Sequence, residues 1–154
     1  MTTLRIQRCT VPQIMEAPEF PDLAAEYAEE SAVSGMPSPS GKIETYAQWE
    51  ATGMLYSFGA LQGDRLIGFI SFVAPILPHF NRQTAVCESF FVAKAQRITG
   101  AGIKLLDAAE QAARDIGSPG LFLSAPVGSR LEGMLPKCGY KAASHIFFKA
   151  FYDA

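Results

Sequence analysis

The sequence predicts an α/β fold whose central sheet is mixed, antiparallel at one hairpin and parallel at one later pair. Two observations carry that reading. Residues 54–61 and 66–74 are apolar runs joined by Gln62-Gly63-Asp64-Arg65, a tight-turn signal that makes them an antiparallel hairpin. Ala85–Val92, AVCESFFV, is a strand rich in aromatic and β-branched residues. It leads through a polar link into a long helical pattern and then a short apolar run at 120–124. Strand, crossover helix and strand form a βαβ unit, whose two strands run parallel. The 154 residues, 49% apolar and 18% charged, predict one domain, residues 1–154, with a sizeable core.

Taken in order, Leu4–Cys9 alternates apolar and polar residues and reads as a first strand. Thr10 caps a short helix that tolerates Pro12 in its first turn. Pro18 and Pro21 interrupt it. A second helix over 22–33 carries Leu23, Tyr27 and Ala28 on one side and Glu26, Glu29 and Glu30 on the other. Those acids read either as a solvated face or as an attraction for a cationic amine. The segment 34–42, SGMPSPSGK, is a loop, a connector or a mobile lid. A short helix over 43–51 holds Tyr46 and Trp49, the latter as a core anchor. The loop 75–82, bearing His79, precedes the βαβ unit. Gly117-Ser118-Pro119 stops the long helix, as glycine followed by proline does. Residues 129–138 form a short helix, and Gly139-Tyr140-Lys141 opens a closing hairpin that ends in a strand over 144–151.

The formal charge of −2, with no basic patch, argues against nucleic acid as a partner. Cys9, Cys87 and Cys138 are odd in number and widely spaced. No metal site is expected, and reduced thiols in a cytoplasmic setting are. No apolar run has the length of a membrane span.

Chemistry concentrates at the start of the long helix. Gly100 and Gly102 let the backbone approach a ligand, and a helix N-terminus offers unpaired N–H groups and positive potential to a phosphate. Arg97 adds a cation. The same glycines also fit a plain turn. Two phosphate loops are excluded: Lys104 has no glycine directly before it, and Leu105 stands where the third glycine of GxGxxG belongs. On the strand, Glu88 is a carboxylate among apolar neighbours. A period of two puts it on one face with Val86, Phe90 and Val92, and Cys87 on the other. Burial there raises its pKa toward that of a general base, unless it serves as a structural carboxylate.

Arg97-Ile98-Thr99-Gly100-Ala101-Gly102 fits Gln/Arg-x-x-Gly-x-Gly/Ala after a strand ending Phe-Phe-Val. It resembles the acetyl-CoA pyrophosphate loop of the GNAT superfamily of N-acyltransferases, most of all the spermidine/spermine and aminoglycoside branches. Leu135-Pro136-Lys137-Cys138-Gly139-Tyr140 is similar to the "YEKLGF" segment near the C-terminus of many members. The resemblance implies the GNAT fold: a central, mostly antiparallel sheet with a parallel, splayed strand pair and a βαβ acetyl-CoA-binding core. It implies acetyl-CoA as cosubstrate and transfer of acetyl to a primary amine of a small molecule, without an acyl-enzyme, so that neither Cys87 nor Cys138 need be a nucleophile. Glu88 would be the base. Backbone groups of Phe90, Phe91 and Val92 would hold the pantetheine arm, with an N–H near Phe91 for the oxyanion. The N–H groups of Arg97, Ile98, Thr99, Gly100, Ala101, Gly102 and Ile103 would hold the pyrophosphate, and Thr99 would add its hydroxyl. Dimers are common in the family. Two departures stand out. Ile98 replaces a frequent glycine. Leu135 occupies the place of the tyrosine that protonates the leaving thiolate, which leaves Ser129, Tyr140 or water for that role. The alternatives are a catalytically weak acyl-CoA sensor on the same fold, or an interaction domain that binds no nucleotide.

Overall fold

A computed structural model describes residues 3–34, 36 and 42–151. Strands β1 (Leu4–Cys9), β2 (Leu55–Gln62) and β3 (Arg65–Val73) lie side by side, antiparallel. The loop after β3 holds a ladder that its sequence did not announce, β4 (Ile76–Leu77) against β5 (Arg82–Gln83). Strand β6 (Ala85–Val92) then pairs antiparallel with β3, and β7 (Leu121–Phe122) pairs parallel with β6. The five-stranded sheet therefore has the order β1-β2-β3-β6-β7, mixed as expected.

Strand β3 is central, and Leu66 to Phe72 are all buried, so both its faces are covered. The described residues hold five α-helices: α1 (Val11–Met15), α2 (Phe20–Ser31), α3 (Lys42–Ala51), α4 (Ala101–Asp115) and α5 (Arg130–Met134), of which α4 covers one face of β3 and α1 with α2 the other. Helix α4 turns Ala101, Leu105, Leu106, Ala109 and Ala113 inward at helical spacing, against Ile67, Ile70 and Phe72. On the other face Ile14 and Leu23 of α1 and α2 meet Leu66, Phe69 and Phe91. Gly68 is required where β3 crosses β6, since a Cβ there would lie 2.8 Å from the Phe91 carbonyl oxygen.

Local signals hold at α1, where Thr10 and Gln13 form a capping box with Pro12 in the first turn. Helix α2 begins at Phe20, earlier than expected, because Pro21 falls in its first turn, where a missing N–H costs nothing. The closing hairpin does not form. A 3₁₀ turn (Leu135–Cys138) ends at Gly139 with φ 89°, and residues 141–151 are exposed and in no strand. The physical reason is the brevity of β7: two residues make too short an edge to receive a strand of eight. The lid reading of 34–42 falls mostly outside the described residues. No described helix is long and apolar enough to cross a membrane.

Phe72 is fully buried and stacks on Tyr56 with ring centres 4.9 Å apart. Phe72→Ala should cost about 3–5 kcal/mol in denaturant unfolding. A loss below about 1 kcal/mol would mean that this face of the sheet is not packed as described.

Candidate active site

The site begins with one residue too many. Ser71 of β3 pairs with Ser89 of β6, but the next residue, Phe72, pairs with Cys87. Glu88 is the extra residue of a β-bulge, which reverses the alternation of faces and re-aims a side chain. The expected grouping of Glu88 with Phe90 and Val92, opposite Cys87, is therefore corrected. Cys87 packs with Phe90 and Val92 in the α4-side core, and the Glu88 carboxylate lies among groups of α2 and α3.

Three of those groups surround it. The Tyr27 hydroxyl donates to the Glu88 carbonyl at 3.5 Å, and its ring stacks on Phe91 with centres 5.7 Å apart. Burial, then Cys87 and Glu88, push that phenol up to about 12. The Tyr46 hydroxyl is buried beside Glu88 and Ser89, close enough to affect the carboxylate but aligned for no hydrogen bond among the described residues. The Lys42 ammonium stands over both phenol rings, 5.0 Å from the centre of Tyr27 and 5.3 Å from that of Tyr46. Partial burial raises the Glu88 pKa, and Lys42 and then Tyr46 pull it back in part. The Cys87 thiol, pushed up to about 12 by burial and the nearby Glu88, stays neutral and is a poor nucleophile.

A second half of the site lies along the same strand. Strand β6 leaves β7 after Val86, so from Cys87 to Val92 its backbone on that side has no ladder partner among the described residues. The strand then runs into a 3₁₀ turn (Lys94–Thr99), Gly100 and the first turn of α4. Gly100 adopts φ 83°, a left-handed conformation suited to glycine, with open space where a Cβ would stand. A Cβ on Gly102 would just touch Phe90 and Val92, at 3.8 Å, so the helix start lies against β6. The Thr99 hydroxyl is used within the turn, donating to the Gln96 carbonyl at 2.7 Å and accepting from the Ala101 N–H at 3.3 Å. Ala101 is buried, while Ile98 and Ile103 are exposed.

Arg97 faces α2. Its guanidinium donates to both carboxylate oxygens of Glu30 at 2.8 and 2.7 Å and to the Val92 carbonyl at 3.1 Å, over the Phe91 ring. Glu26 accepts from the Lys94 N–H at 3.0 Å, and Glu29 lies 3.9 Å from the Lys94 ammonium. Glu29 and Glu30 lie on the exposed face of α2, as the solvated-face reading expects, and with Glu26 they also make contacts beyond the helix. They clasp the turn that precedes α4. What the turn presents to an anion is backbone N–H and the positive end of α4.

The two candidates beyond β7 are differently placed. The Ser129 oxygen caps α5, accepting from the Glu132 N–H at 3.2 Å. The Tyr140 hydroxyl donates to Glu110 of α4 at 2.7 Å; burial first, and then that carboxylate, raise its pKa, and Cys87 and Cys138 lie near enough to add to the effect.

Residues 20–140 match the family model described as Acetyltransferase (GNAT) family. No curated protein matches the sequence significantly. Among solved structures, the ribosomal-protein-alanine N-acetyltransferase of Brucella melitensis biovar Abortus 2308 superposes with a TM-score of 0.70 at 19% identity, over 97% of this chain and 99% of that one. Glucosamine-6-phosphate N-acetyltransferase from Arabidopsis thaliana gives 0.73 at 14% identity, over 97% and 99%. AAC(6')-Iy, in complex with the bisubstrate analog CoA-S-monomethyl-acetylneamine, gives 0.73 at 13% identity, over 96% and 97%. At such identities the likeness is one of fold. The family model, which spans most of the sequence and both halves of the site, settles the rest: the chain belongs to the GNAT family of acetyltransferases.

Proposed function

We propose that the protein is a single-domain N-acetyltransferase that moves the acetyl group of acetyl-CoA to a primary amine of a small molecule by direct attack, with Glu88 as general base. GNAT acetyltransferases use acetyl-CoA. The observation that carries the reading is the bulge, which puts a solvent-accessible carboxylate of raised pKa just beyond the point where β6 leaves β7. The residues present suit the donor. The exposed ladder side of β6, at Phe90, Phe91 and Val92, offers backbone partners to an extended arm. The amides from Arg97 through Ile98, Thr99, Gly100, Ala101 and Gly102 to Ile103 offer a pyrophosphate cradle with open space at Gly100. Acetyl-CoA supplies the activated acetyl group. Glu88 takes the ammonium proton, and a strand N–H near Phe91 faces the developing oxyanion.

Proton return to the thiolate falls to Tyr140 or Ser129. Tyr140 lies near Cys87 on the core side of β6, but its O–H is donated to Glu110, so it must leave that carboxylate to deliver a proton, whereas the Ser129 oxygen accepts in its cap and keeps its own proton. A small acceptor is supported by two of the similar folds, named with glucosamine-6-phosphate and an acetylneamine analog, while the third is named for a ribosomal protein. Three free thiols support a reducing, cytoplasmic setting. We further propose a homodimer. Its support is the exposed segment 141–151, where Ile146, Phe147, Phe148 and Phe151 are 80%, 91%, 49% and 84% exposed.

Glu88→Gln should lower kcat about 10²-fold and leave acetyl-CoA affinity in calorimetry unchanged. A parallel loss of affinity would make Glu88 structural. Because the base works only when ionised and burial raises its pKa, wild-type kcat/KM should fall, as pH drops, above the ordinary glutamate range; a fall within that range contradicts the assignment. Gly100→Asp, which adds a charge facing the pyrophosphate, should weaken acetyl-CoA binding about tenfold or more, and Gly100→Asn, which tolerates the left-handed conformation, far less. Equal affinities for the two variants would refute the cradle. Light scattering should find a dimer for the wild type and a monomer for the Phe147→Asp, Phe151→Asp double variant; a monomeric wild type would sink the dimer.

A further inference from the structure

The box around Glu88 already holds a primary ammonium, and it is the chain's own. Lys42 opens α3, and its side chain reaches the two phenol faces that flank Glu88. Both ring distances are within the range of cation–π attraction, about 6 Å to the centroid. The Glu88 carboxylate is near enough to feel the Lys42 charge, though not in ion-pair contact with it, so two aromatic faces and one nearby negative charge favour an alkylammonium here. The box also stands where an acetyl group would arrive. Strand β6 leaves β7 after Val86, and Glu88 is the second residue beyond that point. Lys42, Lys94, Lys104 and Lys137 are all exposed, and among the described residues only Lys42 of these four stands over aromatic rings.

We propose that Lys42 is a self-modification site, its Nζ acetylated in cis by acetyl-CoA bound to the same chain. This rests on the acetyltransferase reading above. The ammonium gives one proton to the Glu88 carboxylate through a bridging water, since the two groups are not in direct contact. The freed lone pair of Nζ forms a bond to the thioester carbonyl carbon. The carbon–sulfur bond breaks with its electron pair going to sulfur, and the thiolate takes up a proton. The products are Nε-acetyl-Lys42 and CoA, with nothing oxidised or reduced. The amide is uncharged, so it gives up the attraction to both rings and to Glu88 and leaves the box to an external ammonium.

The test uses the full chain with isotopically labelled acetyl-CoA and no added amine, followed by peptide mass spectrometry. Lys42 should label at least about tenfold faster than Lys94, Lys104 and Lys137, as an acceptor already held at the site should. Its rate per molecule should not change with protein concentration, and Glu88→Gln should slow it about 10²-fold. A second readout needs no acetyl-CoA. In proton NMR the ε-methylene of Lys42 should be shifted upfield by the two rings, and Tyr46→Leu should remove most of that shift. Labelling of Lys42 no faster than the surface lysines, a rate that rises with protein concentration, or an unshifted ε-methylene overturns the proposal. If the same sample binds acetyl-CoA and acetylates an added amine, the acetyltransferase reading survives that failure. If it binds no acetyl-CoA, both fall.

Discussion

One extra residue in β6 sets the rest of the site in place. Opposite β3 the ladder runs regularly through Ser71 and Ser89, whose hydroxyls share a buried hydrogen bond, and resumes at Phe72 and Cys87. That bond fixes the register on one side of the bulge, and the buried Phe72 fixes it on the other. Glu88 has no partner in the ladder and turns toward α2 and α3. In a regular strand its carboxylate would enter the α4-side core, where an unpaired charge costs several kcal/mol and would be neutralised instead. Where it stands it is open to solvent on one side, with an ammonium and two phenols nearby. Its pKa rises, yet it remains able to ionise.

Helix α2 joins the two halves. Tyr27 packs on Phe91 and reaches the Glu88 carbonyl. On either side of that tyrosine in the same helix, Glu26, Glu29 and Glu30 hold the segment that opens α4. Exposed ion pairs contribute only about 0–1 kcal/mol each, so these contacts are better understood as positioning than as stabilisation. The Arg97–Glu30 pair is the exception in geometry, being two-pronged and partly screened from solvent. It spends the cation that a bound pyrophosphate would otherwise meet, so the positive potential there comes from oriented amides. Such amides need no reorganisation when an anion arrives.

Local signals were legible and tertiary ones were not. The bounds of β6, the capping box at Thr10, the turn at Gly63 and the helix stop at Gly117 all depend on residues within a few positions of one another, and the chain adopts them as read. The face of Glu88 was misread, because a period of two assumes an unbroken ladder. A bulge shows only when both strands are in view. Tyr27, Lys42 and Tyr46 look like ordinary helix residues, and no spacing brings positions 27, 42, 46 and 88 together. Arg97 was legible as a cation, but its partner lies on α2, 67 positions away. The closing strand failed for a related reason: 141–151 has a strand's composition, but β7 offers it no edge.

The carboxyl group of Glu88 can be observed directly. Its pKa, followed by carbon-13 NMR of the side-chain carboxyl through a pH titration, should lie above the ordinary glutamate range. It should rise further in Lys42→Met, because the ammonium that favours the charged form is gone. A pKa within the ordinary range, unmoved by that substitution, would contradict the placement of Glu88 on which both the base and the ammonium box depend.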